Sequence, residues 1–344
     1  MNTHAWINAK SPVPNDLGLA LPGDLPLFEV LIVVGFILHI IFVNIMVAGT
    51  VSAVFNEVKG ILRKNIVYDK LASKLATQIS IFKSMAVVLG VAPLLIISAI
   101  YTQFFYPSTI LIGKMWLALI PLLIIAFLSL YVYKFTWERW RNRKKLHLAF
   151  GLLGMVILLF VPLLFITNVA SMLQPELWTQ SRGFWSSLFT IPTIWQRYMH
   201  FIAASFAVMG MFMYGWGSRK QAEDKGNNPV WFEYALYGKK MAALFTVLQL
   251  AAGPLLLVSM DKHVRSMFMG GSLFHTCLLL LSILLAMVLC WLLLKLIKKD
   301  NKRVFVTSLT ILLIVVSLMS WIRHEVRELY LAPYMEVAPR TLSK

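Results

Sequence analysis

The sequence predicts an all-α polytopic membrane protein of about eight transmembrane helices, arranged as two four-helix bundles with both termini on the outer side. Three observations predict it. Apolar residues make up 59% of the 344-residue chain and charged residues only 14%, with a mean hydropathy of +0.75, whereas a soluble domain is roughly half apolar. The apolar residues fall into runs near the about 20 residues that a helix needs to cross the hydrocarbon core. Lysine and arginine gather in every second connection between those runs.

The chain begins with a polar, proline-rich stretch, residues 1–26, expected on the outer side. It includes "NAKSPVPNDLGLALPGDLP". No basic start or small-residue cleavage site precedes the first apolar run, so no removable signal peptide is expected. The eight runs lie near 27–55, 84–105, 109–133, 147–170, 195–217, 235–259, 271–296 and 304–322. Residues 27–323 then form the helical bundle and 324–344 an outer tail, so that 1–344 is one integral membrane domain. The connection "LQPELWTQSRGFWSSLFTIP" between the fourth and fifth runs is where the two bundles would divide. No internal repeat, low-complexity tract or soluble domain interrupts this pattern.

The net charge of +17 is explained by loops. Lys59, Arg63, Lys64, Lys70 and Lys74 follow the first helix, and Arg139, Arg141, Arg143, Lys144 and Lys145 separate the third and fourth. Arg219, Lys220, Lys225, Lys239 and Lys240 follow the fifth, and Lys295, Lys298, Lys299, Lys302 and Arg303 separate the seventh and eighth. The positive-inside rule puts all four on the cytoplasmic face. The location implied is a bacterial inner membrane, crossed many times and surrounded by lipid. Nucleic acid is excluded as a partner, because its recognition needs basic residues collected with aromatics on a folded soluble face. Cys277 and Cys290 lie too far apart along one helix to bridge, and the absence of a CxxCH motif excludes covalent haem c.

This topology sorts the histidines by depth. His200 and His275 each lie about five residues, or about 7.5 Å, inside helices that enter from the outer side, and His39 lies about 18 Å into the first helix. The eighth helix ends in "SWIRHEVREL", which brings Trp321, His324 and Glu325 to the outer boundary. Ionisable groups inside membrane spans are costly and functional by default, and imidazole is a common axial ligand of haem iron. Hydrogen bonding to a neighbouring helix is the plain alternative for any single histidine. Zinc fits less well, since Met, Phe, Leu and Ala surround these histidines and few carboxylates are at hand to orient them. Ala203, Ala204 and Gly210 beside His200, and Ala48 and Gly49 beside His39, leave room for a flat macrocycle or serve helix packing. His4, His147 and His263 fall outside this outer set.

The segments "LHIIFVNIMVAGTVSAVFNEV", "LLFITNVASMLQP", "IWQRYMHFIAASFAVMGMFMYGWG" and "SWIRHEVREL" occur in that order. Together they resemble the large subunit, subunit I, of cytochrome bd quinol oxidases over about residues 27–330. The resemblance implies that His39 ligates a high-spin haem, that His200 ligates low-spin haem b, and that Glu325, four residues after Trp321, ligates a further haem, with His324 as the competing ligand. Two or three haems b are implied.

Three departures qualify it. His275 stands where that family has a methionine ligand, which implies a bis-histidine haem between His200 and His275 with a lower potential than a His/Met one; otherwise His275 packs beside Thr276, and Met267 or Met269 supplies the ligand. The long quinol loop is reduced to "MDKHVRSMFMGG". The glutamates of the third helix are missing, no carboxylate occurring between Asp69 and Glu138, and Lys114 stands near one expected position. Oxygen reduction consumes protons that buried carriers must deliver. The expectation is therefore a quinol-oxidising oxidoreductase subunit that passes electrons through outer-side haems to companion redox subunits or an exported cytochrome c. A divergent bd-type quinol oxidase that reduces oxygen is the alternative. A haem-free transporter or scaffold is the third reading, without the broken helices that transporters show.

Overall fold

The computed structural model describes residues 11–14 and 23–337, and it is all-helical among them. Most of the expected outer N-terminal segment and the end of the expected tail lie outside those residues. Among the described residues, eight helices are long and apolar enough to cross a membrane: α1 (Leu25–Arg63), α2 (Ile66–Ile100), α4 (Gly113–Phe135), α5 (Lys144–Met172), α7 (Ile194–Glu223), α8 (Pro229–Ser259), α10 (Leu273–Lys298) and α11 (Lys302–Val337). Three short helices lie between them, α3 (Thr102–Leu111), α6 (Phe184–Thr190) and α9 (Lys262–Ser266). The protein is thus a multi-pass membrane protein with the eight spans expected.

The first two spans are much longer than their apolar runs. At 1.5 Å per residue α1 extends about 58 Å, nearly twice the hydrocarbon thickness, so the basic residues on either side of the first turn continue the helices. Lys64, at φ 50°, and Asn65 make that turn, and the Asn65 side chain accepts the Val67 amide at 2.9 Å to cap α2. The eighth span also runs further than expected. Residues 324–337 continue α11 and are not a tail, because His324, Glu325 and Arg327 find partners inside the protein. Buried or paired charges do not end a helix.

α1 packs on α2, α5, α7 and α11, and α7 pairs along its length with α8. That last pairing is backbone to backbone: a Cβ on Gly210 would sit 2.4 Å from the Ala242 nitrogen, and one on Gly238 would sit 2.6 Å from the Tyr214 nitrogen. Small residues let membrane helices approach this closely. Gly210 is thus used in helix packing, and it leaves no space for a macrocycle. Gly49 likewise faces Ile79 and Met209. Away from these contacts, Leu117, Ile120, Ile124 and Leu128 on α4 are exposed at helical spacing, as are Leu280, Leu284, Val288 and Trp291 on α10. These stripes face lipid.

Candidate functional site

One hydrogen bond fixes the level of the first two histidines. The buried Ser205 hydroxyl of α7 donates to Asn44 Oδ1 of α1 at 3.0 Å. His39 and His200 each lie five residues before that pair in their helices, which places both about 7.5 Å outward of it. The structure thus sets His39 and His200 at one level, whereas depth counted along the sequence had paired His200 with His275 and put His39 deeper.

His39 is held by one nitrogen. Its Nδ1 lies 2.8 Å from the Ala86 carbonyl of α2, an acceptor, so Nδ1 carries the proton and Nε2 keeps its lone pair. This is how a ligating imidazole is oriented, with one nitrogen on a carbonyl and the other free for iron. The ring rests on Gly90, where a Cβ would come within 2.6 Å of Cε1; only glycine permits this approach.

His200 has Gln249 of α8 at 3.2 Å from Nε2, while its Nδ1 is buried without a partner. A buried ring nitrogen with no partner is costly to leave so; iron on Nε2 would need Gln249 to turn aside and would leave Nδ1 as it is.

His275 does not join His200. α10 begins at Leu273 after a kink at Met269 and Gly270, so His275 sits in its first turn, and α10 packs on α11 and α8. Its Nδ1 lies 2.8 Å from the Ser272 hydroxyl and its Nε2 lies 3.2 Å from Glu325 Oε2. Both nitrogens are engaged, and so is the Glu325 carboxylate that the sequence reading gave to a different haem. The pair borders an open cavity of about 430 Å³ with Glu328, Leu329, Ala332 and Met335. The scarcity of carboxylates near the histidines does not extend to this one. Met269 is 66% exposed.

His324 points elsewhere, as residues about 100° apart on a helix must. It is buried beside Arg327, whose Nη2 donates to its Nδ1 at 2.7 Å, and the Trp321 ring meets it edge-on with centroids 5.6 Å apart. Its Nδ1 lone pair is therefore taken. Arg323 lies over Phe36, 4.1 Å from the ring centroid, and Arg327 over Tyr101 at 4.4 Å. At the neighbouring outer corner, between α8 and α9, the Asp261 amide donates to the Tyr330 hydroxyl at 2.9 Å. Partial desolvation, then the charge of Glu176, hold the Asp261 carboxyl above the ordinary aspartate range.

The sequence reading missed a second centre on the inner half. Glu57 of α1 and His147 of α5 are both fully buried, with Nδ1 and Oε1 2.6 Å apart, and His147 Nε2 donates to the Tyr133 carbonyl at 2.7 Å. Because that carbonyl fixes a proton on Nε2, the Glu57 contact shares one further proton between carboxylate and imidazole. Lys144 lies 3.6 Å from Glu57 and 2.6 Å from Asp69, and Asp69 also accepts from Trp137 Nε1 at 3.3 Å. The signal was Glu57 at the inner end of an apolar helix, to which the sequence reading gave no role. Lys114 of the third span is exposed.

Among the described residues, no three of His, Cys, Asp and Glu converge to hold a metal ion, as structural zinc or calcium sites require. Haem iron asks the protein for only one or two axial donors, which His39 fits as it stands and His200 fits once Gln249 turns.

No known family model matches the sequence, and no curated protein matches it. The structure is similar to that of the bd oxidase from Geobacillus thermodenitrificans, with a TM-score of 0.70, 14% sequence identity, and 92% of this chain and 91% of that chain covered. The similarity establishes a bd-oxidase-like fold.

Proposed function

We propose that the protein is a membrane b-type cytochrome that takes electrons from a quinol and passes them, through haem in the outer half of the bundle, to a partner redox protein in a bacterial inner membrane. The observation that carries this reading is the orientation of His39, whose Nδ1–H donates to the Ala86 carbonyl and whose Nε2 keeps its lone pair for iron, within a bd-oxidase-like fold. His39 and His200 are the axial ligands in this account. Bound haem supplies a one-electron carrier there. Trp321 packs beside His324, and His324 is held by Arg327, so both support the site without ligating. The partner is an exported cytochrome c or a companion redox subunit.

Quinol oxidation releases two electrons and two protons, and the protons need acceptors. The His275–Glu325 pair, with Glu328 beside it, borders the open outer cavity, and its apolar wall of Leu329, Ala332 and Met335 suits a hydrophobic ring. We assign proton acceptance to this pair in place of iron ligation. A specific observation also favours the oxygen-reducing alternative: the buried Glu57–His147 pair holds a shared proton on the inner half, the kind of carrier that oxygen reduction needs.

Quinol oxidation by the purified protein separates these readings. With a one-electron acceptor present, quinol loss is expected to exceed oxygen uptake severalfold, and Glu325→Gln is expected to slow it while sparing the haem spectrum. Rapid oxygen uptake matching quinol loss would move the oxidase reading to first place.

A further inference from the structure

Two ammonium groups meet between α2 and α4 at the inner end of their apolar runs. Lys83 is the last charged residue of α2 before its run, and Lys134 is the first of α4 after its own, so both stand at the cytoplasmic boundary. Lys83 belongs to the lipid-facing stripe of α2, since Val87 and Val91, one and two turns further on, are exposed. A lysine in such a place ordinarily snorkels its charge into water. Lys83 is instead 1% exposed, because two rings of α4 cover its ammonium, Tyr131 at 3.5 Å and Phe127 at 4.6 Å to the centroids. Lys134 reaches back from α4 and donates to the Ser80 hydroxyl of α2 at 2.8 Å, and Ser80 lies one turn from Lys83 on the same face. Among the described residues neither lysine forms an ion pair. The carboxylates of this inner region are engaged or apart: Asp69 pairs with Lys144 and Glu57 with His147, while Glu138 is exposed beyond the end of α4.

Cation–π contact offsets part of this charge, but two neighbouring cations repel unless an anion joins them. The cytoplasmic leaflet supplies one at this depth, the phosphodiester of an anionic phospholipid, which lysine holds as a point charge. Outward of the lysines, Val87 and Val91 of α2 and Leu128 and Ile124 of α4 are exposed, an apolar track for acyl chains. Tyr131 and Phe135 are also exposed and stack at 5.9 Å between centroids, as aromatic residues do at headgroup level. We propose that Lys83 and Lys134, with the exposed Ser84 hydroxyl, bind the phosphate of an anionic phospholipid of the inner leaflet between α2 and α4. The site is independent of the haem reading.

The test titrates the full-length, delipidated protein in detergent at low ionic strength with dioleoylphosphatidylglycerol and, separately, with dioleoylphosphatidylcholine, which has the same chains and no net charge, and counts bound lipid by native mass spectrometry. The wild-type protein is expected to bind its first phosphatidylglycerol about thirtyfold more tightly than its first phosphatidylcholine, about fivefold for each lysine. Lys83→Gln and Lys134→Gln are each expected to leave a preference of about fivefold, and the double variant none. Equal binding of the two lipids by the wild-type protein, a comparison that needs no variant, would overturn the site, as would a preference that survives the double variant. Displacement of phosphatidylglycerol by equimolar inorganic phosphate would assign the lysines to a free anion. A companion subunit that copurifies with the wild-type protein and not with the double variant would assign them to a carboxylate of that subunit. Either result overturns the lipid.

Discussion

His147→Ala is expected to be among the most destabilising single changes in the protein, for reasons that can be counted. The substitution removes the 2.6 Å contact with Glu57 and the 2.7 Å bond to the Tyr133 carbonyl. It also takes away a ring stacked on Tyr133 and meeting Trp137 edge-on, both at 4.6 Å between centroids. What remains is a fully buried Glu57 with Lys144 at 3.6 Å as its nearest cation. Removing one partner of a buried pair costs about 3–5 kcal/mol. Glu57→Gln, which keeps the volume and a hydrogen-bonding group, should cost less, about 1–2 kcal/mol. In a chain of this size about 4 kcal/mol lowers Tm by roughly 5–6 °C. Thermal unfolding in detergent, followed by tryptophan fluorescence, reads the difference, and the double variant reads the coupling between the two residues. A loss below about 1 kcal/mol for His147→Ala would show that the pair is not the buried junction of α1 and α5 described above.

The other predictions concern packing, pH and topology. Gly210→Leu should cost at least about 3 kcal/mol and separate α7 from α8, because its Cβ would meet the Ala242 backbone at 2.4 Å; a normal yield and Tm would contradict the close approach. The raised Asp261 carboxyl binds its proton more tightly in the folded state than in the unfolded one, so its contribution is greatest below the ordinary aspartate value of 3.8 and declines as pH rises through and above it. The side chain remains in contact with solvent, so the effect is small; Asp261→Asn should flatten that slope in Tm measured from pH 3 to 7, and parallel profiles for the two proteins would refute it. Reporter fusions after Lys74 and after Gln180 should report opposite sides of the membrane, and the same side for both would break the topology.

Long apolar runs and alternating basic loops made the eight spans legible, because bilayer thickness and charge asymmetry act on the sequence directly. The helix ends were less legible. α1 and α2 project past the bilayer as a capped hairpin, and α11 carries Arg323 and Arg327 inside the protein, both being tertiary solutions that composition does not show. Depth along the chain put His200 level with His275 and left His39 deeper, whereas the Ser205–Asn44 bond sets His39 and His200 on one level. Depth says nothing of azimuth. His275 had the right height for His200, but the kink at Met269 and Gly270 starts α10 so that the ring meets Glu325. Glu57 and His147 were passed over because their meeting depends on how α1 and α5 pack, which neither helix encodes alone.

The most direct test of the central claim is the reduced-minus-oxidised optical spectrum of the purified full-length protein, recorded beside His39→Ala, His200→Ala and His275→Ala. The account predicts haem b bands in the wild-type protein, loss of the low-spin signal in His200→Ala, loss of part of the remaining haem in His39→Ala, and an unchanged low-spin band in His275→Ala. A wild-type spectrum without haem bands, or one that survives both His39→Ala and His200→Ala, would contradict it.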